Sequence, residues 1–205
     1  MKPALIFDFG GVLMRTLDYT PRHRWDEQLG LPLGSVERVV HGGESWRLAQ
    51  TGTISPEAYW SDVGQQLGLT AEQTRQLAVD FFSGDQLDEA LVAFIRQLRA
   101  AGHRTALLSN DSPALLEKLQ MLQIADLFDP LVISAFIGVM KPDARAYQTV
   151  LDRLGITPAQ AIFIDDLPRN VAGAQAVGII GLHYTTLDQL RRDLDSLIRQ
   201  ASGEL

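Results

Sequence analysis

The sequence predicts an α/β protein in which a parallel β-sheet is covered by helices. Short apolar runs of strand length alternate with amphipathic stretches from Leu87 to the C-terminus, which is the pattern of β-α-β units. Residues 16–86 break that alternation, because they show helical periodicity with no apolar strand run between the helices. A chain of 205 residues can form one core and still carry a small second unit. We therefore expect a sheet-based core, residues 1–15 and 87–205, with a helical insertion at 16–86.

Five apolar runs are predicted to form the strands of the core. They lie at residues 4–7, 105–109, 131–134, 161–164 and 179–183. Nearly continuous apolar runs are typical of strands that are buried on both faces of a parallel sheet.

Amphipathic stretches between these runs predict the helices that cover the sheet. Leu87, Leu91 and Leu98 recur at helical spacing, and Gly102 stands where a C-terminal cap would end that helix. Further helices are predicted from Pro113 onward, across 146–154 with Gly155 as the stop, across 170–177, and along the leucine stripe at 187–197.

Two helix starts are evident inside the insertion. Ser55 followed by Pro56 is typical of an N-cap and a first helical residue, and Thr70 with Gln73 has the spacing of a capping box. The paired glycines within residues 41–47 predict a loop there, because glycine permits unusual backbone geometry. The insertion is therefore predicted to be helical, with a loop that carries polar and aromatic residues.

Composition excludes several classes of function. The formal charge of −7 and the pI near 5.0 disfavour general attraction to nucleic acid or to anionic membranes, so a small molecule is the expected partner. Cysteine is absent, which excludes disulfides, thiolate nucleophiles and zinc–thiolate sites. No apolar segment of the sequence is long enough to span a bilayer. The first residues lack the apolar stretch of a secretory signal, so we expect a cytoplasmic location.

Polar groups of different chemistry follow four of the predicted strands. Asp8 follows the first, Ser109 ends the second, Lys141 lies just beyond the third, and Asp165 and Asp166 follow the fourth. Ligands bind outside the carboxyl ends of the strands in an open parallel sheet, so these groups are expected to converge. Three carboxylates at one edge need a cation such as Mg²⁺, while a lysine and a hydroxyl suit a phosphoryl group. Each of these residues alone is more often a turn or loop residue. The prediction therefore rests on the order in which they follow the four strands.

Four short motifs resemble, in order, those of the haloacid dehalogenase-like superfamily. They are Asp8-Phe9-Gly10-Gly11-Val12, Leu108-Ser109-Asn110, Lys141-Pro142, and Ile164-Asp165-Asp166 followed by Asn170 and Gly173-Ala174. The resemblance spans nearly the whole chain and implies a Rossmann-like core. The insertion at 16–86, hereafter the cap, is similar to the helical cap of the first subfamily. The first motif and residues 41–55 are also similar to phosphatases allied to α-glucose-1-phosphate phosphatase and to the N-terminal phosphatase domain of epoxide hydrolases.

The resemblance implies a role for each residue that carries it. Asp8 would attack phosphorus and form an aspartyl-phosphate that water then hydrolyses. Ser109 would bind a phosphoryl oxygen, Asn110 would position the phosphate, and Lys141 would offset charge at the nucleophile and phosphate. These roles predict a phosphatase that acts on a small phosphomonoester, with a sugar phosphate as one expectation.

The resemblance also implies a magnesium site. Asp8 and Asp166 would be direct ligands of Mg²⁺, Asp165 would orient the ion through water, and the backbone carbonyl of Gly10 would complete the protein ligands. Hydrolysis is therefore predicted to depend on magnesium.

Gly10 departs from the pattern, because most phosphatases of the superfamily carry an aspartate there that protonates the leaving group and later activates water. Glycine cannot transfer a proton, so a contribution of ~10²- to 10⁴-fold needs another source. Glu44, His41 and Asp111 are candidates by residue type only. A catalytically weak or silent phosphate-binding protein is therefore the alternative function.

Other functions fit the sequence less well. A haloacid dehalogenase would share Asp8 but would not need the acidic pair Asp165 and Asp166. A phosphate-accepting receiver domain carries its acidic pair first in the chain, whereas here the lone aspartate comes first. The sequence does not discriminate between a monomer and a homodimer.

Overall fold

The computed structural model describes residues 2–202, with side chains described as far as residue 198. Its strands are β1 Ala4–Phe7, β2 Met14–Thr16, β3 Asp85–Leu87, β4 Thr105–Ser109, β5 Leu131–Ile133, β6 Ala161–Asp165 and β7 Ile180–His183. Five of them form a parallel sheet in the order β5-β4-β1-β6-β7, and β2 pairs with β3 in a separate antiparallel ribbon. The predicted α/β class with a Rossmann-like parallel core is confirmed.

Eleven α-helices accompany the strands within the described residues. They are α1 Thr20–Gln28, α2 Ser35–Gly42, α3 Glu44–Gln50, α4 Pro56–Gln66, α5 Ala71–Phe81, α6 Glu89–Ala100, α7 Ala114–Met121, α8 Ser134–Ile137, α9 Ala144–Leu154, α10 Pro168–Ala176 and α11 Leu187–Ser202. None of them, between residues 2 and 202, has the length and apolar character needed to cross a membrane.

Alternate residues of the central strand β1 face two different apolar clusters. Leu5 and Phe7 belong to the cluster that includes residues of α6, α7 and α11, whereas Ala4 and Ile6 belong to the cluster that includes residues of α9 and α10. Successive side chains of a strand point to opposite faces, so a strand that is apolar at every position must be covered on both sides. The central strands are therefore fixed between two layers of helices, and their polar C-terminal ends are the positions left for function.

The antiparallel ribbon β2–β3 marks the points where the chain leaves and re-enters the core. Thr16 pairs with Asp85, although 68 residues lie between them in the sequence. The apolar pattern of the sequence does not predict these strands. Its assignment of Leu87 to a helix is wrong, because Leu87 is the last residue of β3 and α6 begins at Glu89 after an N-cap at Asp88.

Helices α1–α5 lie between β2 and β3 and build an apolar cluster of their own. Val40, Val63 and Phe81 are fully buried there. Both predicted helix starts are present, since Ser55 caps α4 and Thr70 forms a capping box at α5.

The predicted loop at residues 41–47 is wrong. The end of α2 and the start of α3 occupy this segment, and Gly43 alone separates the two helices. The paired glycines stand at the junction of the two helices, where the backbone of Gly43 is extended and helix resumes at Glu44.

A buried arginine ties the cap helices to the ribbon. The Arg22 side chain, on α1, is only 4% exposed and donates hydrogen bonds to the Phe81 carbonyl (3.0 Å) and to Asp85 Oδ1 (3.0 Å). Its guanidinium also bonds to Glu37 of α2 (3.0 Å) and to Thr16 Oγ1 (2.7 Å), and it lies 4.0 Å from the ring centroid of Phe81. A buried guanidinium needs several acceptors to offset its lost hydration, so this network fixes α1, α2 and α5 against the ribbon.

Candidate active site at the strand ends

The pairing register brings the first and fourth motifs together. Phe7 pairs with Leu107 on one side and with Ile164 on the other, and the Asp8 N–H donates to the Ile164 carbonyl (2.9 Å). Asp8 and Asp165 therefore stand side by side at the ends of neighbouring strands. Ser109, the last residue of β4, is buried on the other side of β1.

Lys141 joins these strand ends through a buried ammonium group. Its Nζ lies 2.9 Å from Asp8 Oδ1 and 2.7 Å from Asp165 Oδ2, and its side chain is 0% exposed. An unpaired buried ammonium is costly, and two carboxylates within hydrogen-bonding distance offset that cost. The site thus carries a fixed positive charge against the carboxylate of Asp8.

Asp165 is held on every side by hydrogen-bond donors of the protein. Besides Lys141, its carboxylate accepts bonds from the Leu167 N–H (2.8 Å) and from Asn170 Nδ2, which lies 3.1 Å from both oxygens. The side chain is fully buried. This arrangement orients the ammonium of Lys141 toward Asp8. Asn170 belongs to the fourth motif, and its position in the first turn of α10 shows that its side chain holds Asp165.

Three carboxylates form a group that could hold a metal ion. One oxygen each from Asp8, Asp165 and Asp166 lies within 4.8 Å of the others. Burial and the neighbouring Asp165 raise the pKa of the half-buried Asp166. Such a cluster of hard oxygen donors fits a magnesium ion, whose charge would relieve the repulsion among the carboxylates.

Burial also dominates the electrostatics of Asp8. It raises the pKa of Asp8 to about 7, with Lys141 opposing the rise and Asp165 adding to it. The Phe9 N–H donates to Asp8 Oδ1 (2.7 Å), which fixes the orientation of the carboxylate. Asp8 is thus rigidly placed and can be ionised by a modest gain in nearby positive charge.

The Asn110 side chain binds the backbone of Lys141. Its Nδ2 donates to the Lys141 carbonyl (2.9 Å) and its Oδ1 accepts from the Lys141 N–H (2.8 Å). The expected role of Asn110 in positioning phosphate would therefore fall to its backbone, while its side chain holds the lysine loop.

The cap contacts the loop that follows β4 directly. Gln50, at the end of α3, donates from Nε2 to the Asn110 carbonyl (2.9 Å), and its own carbonyl accepts from Ser134 Oγ (2.6 Å). Gly52 lies so close to the core that an added Cβ would be 2.2 Å from the Ala135 carbonyl oxygen. Gln50 and Ser134 were not predicted as site residues, because single polar residues in helices and strand ends give no local signal.

The three candidate proton donors lie in different surroundings. Glu44 is exposed and paired with Arg47, which lowers the pKa of Glu44. His41 is an exposed residue at the end of α2, and its ring contacts those of Trp46 and Phe81. Burial of the imidazole against its neighbours, together with the nearby Arg22, lowers its pKa to about 4.

Asp111, the third candidate, is half-buried on the loop after β4, and burial raises its pKa to about 6. Among the three side chains, Asp111 alone combines a carboxyl group with a pKa near neutrality.

Comparison with known proteins identifies the family. A family model described as a haloacid dehalogenase-like hydrolase matches residues 2–178. The chain belongs to the haloacid dehalogenase-like hydrolase family. The predicted resemblance is thereby confirmed, and the four motif groups of this haloacid dehalogenase-like chain meet at one edge of its sheet.

Two related sequences of the family carry names that describe phosphatases. A sesquiterpene phosphatase from Aspergillus oryzae (strain ATCC 42149 / RIB 40) is 32% identical over 184 residues, which cover 89% of each chain. A phosphatase from Mycobacterium tuberculosis (strain CDC 1551 / Oshkosh) is 30% identical over 206 residues, which cover 95% of this chain and 94% of that one.

Solved structures of the haloacid dehalogenase-like family share the fold. The magnesium complex of a family enzyme from Bacteroides thetaiotaomicron has a TM-score of 0.77 at 21% identity, and the match covers 93% of this chain and 98% of that one. An L-2-haloacid dehalogenase from Xanthobacter autotrophicus has a TM-score of 0.64 at 24% identity, and the match covers 96% of this chain and 83% of that one. The fold is therefore shared with a haloacid dehalogenase, so the fold alone does not assign the chemistry.

Proposed function

We propose that this chain is a magnesium-dependent phosphatase that hydrolyses a small phosphomonoester through an aspartyl-phosphate on Asp8. The observation that carries the proposal is the buried Lys141 ammonium, 2.9 Å from Asp8 and 2.7 Å from Asp165, beside a third carboxylate at the same strand edge. A carboxylate nucleophile and a dianionic phosphate repel each other, so the attack needs positive charge beside the nucleophile.

The acidic cluster would hold the metal. Asp8 and Asp166 are proposed as direct ligands with the Gly10 carbonyl, and Asp165 as a group that orients the ion through water. When bound, Mg²⁺ would supply positive charge at the phosphoryl oxygens and the nucleophile. The magnesium complex of the Bacteroides thetaiotaomicron enzyme, which shares this fold, supports the choice of metal.

The residues of the chain would divide the reaction into two displacements. In the first, an oxygen of Asp8 attacks phosphorus as the bond to the leaving oxygen breaks, which yields the aspartyl-phosphate and a free alcohol. In the second, water attacks phosphorus and restores the Asp8 carboxylate with release of inorganic phosphate. Ser109 would donate to a phosphoryl oxygen and Lys141 would stabilise its charge in both steps.

The cap would select the substrate. It reaches the loop that follows β4 through Gln50, so its inner surface lies over the core where a leaving group would extend. The phosphatase names of the two relatives support a phosphomonoester as the substrate class. A small phosphorylated metabolite as partner, a monomer or homodimer, and a cytoplasmic location stay predictions.

The direct test is phosphate release from a panel of sugar phosphates, a terpenyl phosphate and an aryl phosphate, with and without Mg²⁺. We expect turnover that requires Mg²⁺ and is lost in Asp8→Asn. Asp188→Asn is the matched control, because that aspartate is 80% exposed on α11.

Failure of every substrate in a folded protein would overturn the phosphatase assignment. If that protein still bound inorganic phosphate and Mg²⁺, the result would favour the silent binding protein that Gly10 suggests. Chloride release from a 2-haloacid without phosphate release would favour a dehalogenase.

A further inference from the structure

We propose that the substrate of this chain is a phosphomonoester of an apolar alcohol, whose apolar part lies against the rings of Trp46, Trp60 and Phe82 of the cap. This inference rests on the proposed phosphatase function and narrows its substrate class. It assigns the three rings, hereafter the aromatic wall, as determinants of substrate specificity.

The rings of the aromatic wall belong to a cluster of aromatic side chains in mutual contact. The ring centroids of Trp46 and Trp60 lie 5.3 and 5.2 Å from that of Tyr59, which stands between them. The ring centroid of Phe82 lies 6.3 Å from that of Trp60. Tyr59 is buried, whereas the three rings of the wall are only half-buried. The protein therefore covers part of each ring and leaves a shared apolar surface open.

The Trp46 edge of the aromatic wall lies beside the loop that follows β4. Trp46 and Gln50 are four residues apart on α3, so their side chains project from the same face of that helix. The Gln50 side chain donates to the Asn110 carbonyl (2.9 Å), and Asn110 directly follows Ser109 in the chain. The helix face that carries Trp46 is therefore turned toward the proposed phosphate-binding residue.

The Phe82 edge of the aromatic wall lies beside the segment that carries the proposed nucleophile. The Lys118 ammonium, on α7 of the core, lies 5.0 Å from the ring centroid of Phe82 and 5.8 Å from that of Phe9. Phe9 follows Asp8, and its N–H donates to Asp8 Oδ1 (2.7 Å). Both edges of the wall thus adjoin the phosphoryl site, so a leaving group that extends from Asp8 toward the cap would meet the rings.

The aromatic wall has almost no polar atoms. Its two indole N–H groups are the exceptions, and the neighbouring Tyr59 hydroxyl already donates to the Val40 carbonyl (2.7 Å) inside the cap. A sugar would bring several hydroxyls to this surface, and each hydroxyl buried without a partner is costly. An apolar chain needs no such partners, and its burial is favourable in proportion to the area removed from water. The wall therefore favours an apolar alcohol over a sugar.

A groove on the cap continues the aromatic wall. It lies between α4 and α5, has a volume of about 700 Å³, and its apolar lining includes Trp60, Leu69, Ala78 and Val79. Trp60 belongs to both surfaces, and Val79 is 68% exposed, so the groove is open to solvent. Ligand pockets with mainly apolar walls have volumes of about 300–1,000 Å³. A long chain would therefore run along the wall and into this groove.

The test compares n-alkyl phosphates from ethyl to decyl with a glucose phosphate, each with Mg²⁺ and below the concentration at which micelles form. We expect kcat/KM to rise by up to about fourfold for each added methylene, because burial of a methylene contributes that much. The glucose phosphate should be a poorer substrate than octyl phosphate. A series with no dependence on chain length, or a preference for the glucose phosphate, would overturn the inference and leave the phosphatase standing.

Trp60→Ala removes a ring from the aromatic wall. It should lower kcat/KM for octyl phosphate by about 10- to 100-fold, which is the contribution of one buried large apolar side chain. The loss for ethyl phosphate should be at least about 10-fold smaller, because an ethyl group is too short to cover the ring. A purely structural defect would lower both rates equally, and that outcome would overturn the inference.

Val79→Glu tests the groove at an exposed position, where a substitution leaves the fold intact. It places a charge beside the alkyl chain and should abolish the further gain from octyl to decyl phosphate. The matched control is Leu33→Glu, at an apolar residue of the cap that is 60% exposed and lies outside the groove. The control should keep the wild-type dependence on chain length. An equal loss in the two variants would contradict binding along the groove.

A binding measurement separates this inference from the proposed function. Ethylphosphonate and octylphosphonate have no ester bond, so calorimetric titration with them needs no turnover. If the wild type hydrolyses no phosphate but binds octylphosphonate more tightly, and Trp60→Ala loses that difference, the phosphatase fails and the aromatic wall keeps its apolar ligand. If hydrolysis occurs and the two phosphonates bind equally, the phosphatase stands and the inference is overturned.

Discussion

Gly11→Ala should weaken magnesium binding without unfolding the protein. An ideal Cβ at position 11 would lie 2.1 Å from Asp166 Oδ2 and 2.3 Å from its Cγ. Ordinary contacts of carbon atoms begin at about 3.5 Å, so the carboxylate must move by roughly 1 Å or more. The Asp166 side chain is half-buried and can rotate away, so the substitution should displace a metal ligand and leave the fold intact.

The size of the effect follows from the tolerance of metal sites. Ligand distances must lie within about ±0.2 Å of their preferred values, so a carboxylate displaced by roughly 1 Å no longer coordinates. Mutation of groups that only hydrogen-bond to the metal ligands already lowers metal affinity by about 10- to 100-fold. Loss of a direct ligand should therefore lower the affinity for Mg²⁺ by about 100-fold. Alanine at the φ of +76° should also cost about 1–2 kcal/mol of folding free energy.

The assay is calorimetric titration with Mg²⁺, together with the Mg²⁺ concentration that gives half-maximal phosphate release. The matched control is Gly10→Ala at the adjacent glycine. Its φ is not positive, no atom lies within 4 Å of the added Cβ, and the backbone carbonyl is retained. Its affinity should stay within about twofold of the wild type. A folded Gly11→Ala that binds Mg²⁺ as tightly as the wild type would refute Asp166 as a direct ligand.

Three further predictions concern buried charge. Lys141→Met should lower the free energy of unfolding by about 3–5 kcal/mol at pH 8, because it leaves the Asp8 and Asp165 carboxylates unpaired. The loss should be smaller at pH 5, where Asp8, whose pKa burial raises to about 7, is protonated. A urea titration at pH 8 that finds under about 1 kcal/mol would contradict this. Arg22→Met should lower the free energy of unfolding by about 3 kcal/mol, because it removes the main partner of Asp85. Arg75→Met, at an exposed position, should change that free energy by less than about 0.5 kcal/mol. Equal shifts in melting temperature for the two variants would disprove the role of the network. The lowered pKa of His41 means that the folded chain binds fewer protons than the unfolded chain between about pH 4 and 6.5, so its contribution to stability, present above pH 6.5, is lost as pH falls through that window. His41→Gln should therefore flatten the decline of the urea midpoint between pH 6.5 and 4, and an unchanged slope would count against the pKa shift.

The core strands could be predicted from sequence because burial on both faces leaves a local pattern. Residues 4–7 are apolar at every position and 106–108 form the apolar centre of 105–109, and the structure has β1 and β4 with the same bounds. Gly155 was predicted as the end of a helix, and it caps α9 at a φ of +64° that favours glycine. Apolar runs and helix-ending glycines can be recognised from residues adjacent in the sequence, without knowledge of tertiary contacts.

The ribbon β2–β3 could not be predicted, because its pairing joins distant and largely polar residues. Arg15, Thr16, Asp85 and Gln86 have no apolar alternation, and side-chain bonds such as Thr16 Oγ1 to Asp85 Oδ1 (2.7 Å) form only after folding. The predicted loop at 41–47 failed for another reason, since the tendency of glycine to break helices was outweighed by the packing of α2 and α3.

The chemical types of the site residues could be predicted, but not their partners. Strand ends and motif order single out Asp8, Lys141 and Asp165. That the amide of Asn110 binds the lysine backbone, and that Asn170 holds Asp165, depends on distances between loops that no spacing encodes. The acid candidates became distinguishable only when each could be seen with its neighbours.

The ribbon also makes the cap a replaceable part. Thr16 and Asp85 are paired neighbours, and the Leu17 N–H donates to the Gly84 carbonyl (3.0 Å), so in topology the cap is the loop of a β-hairpin. The entropy of closing such a loop grows only slowly with its length, so loops of very different size can occupy the same position. A two-residue Asn-Gly turn has the geometry to join Thr16 to Asp85 and leave a bare catalytic core. Exchange of the cap at this junction would leave the parallel sheet uncut, so the proposed substrate choice of the cap would be separable from the proposed phosphoryl chemistry of the core.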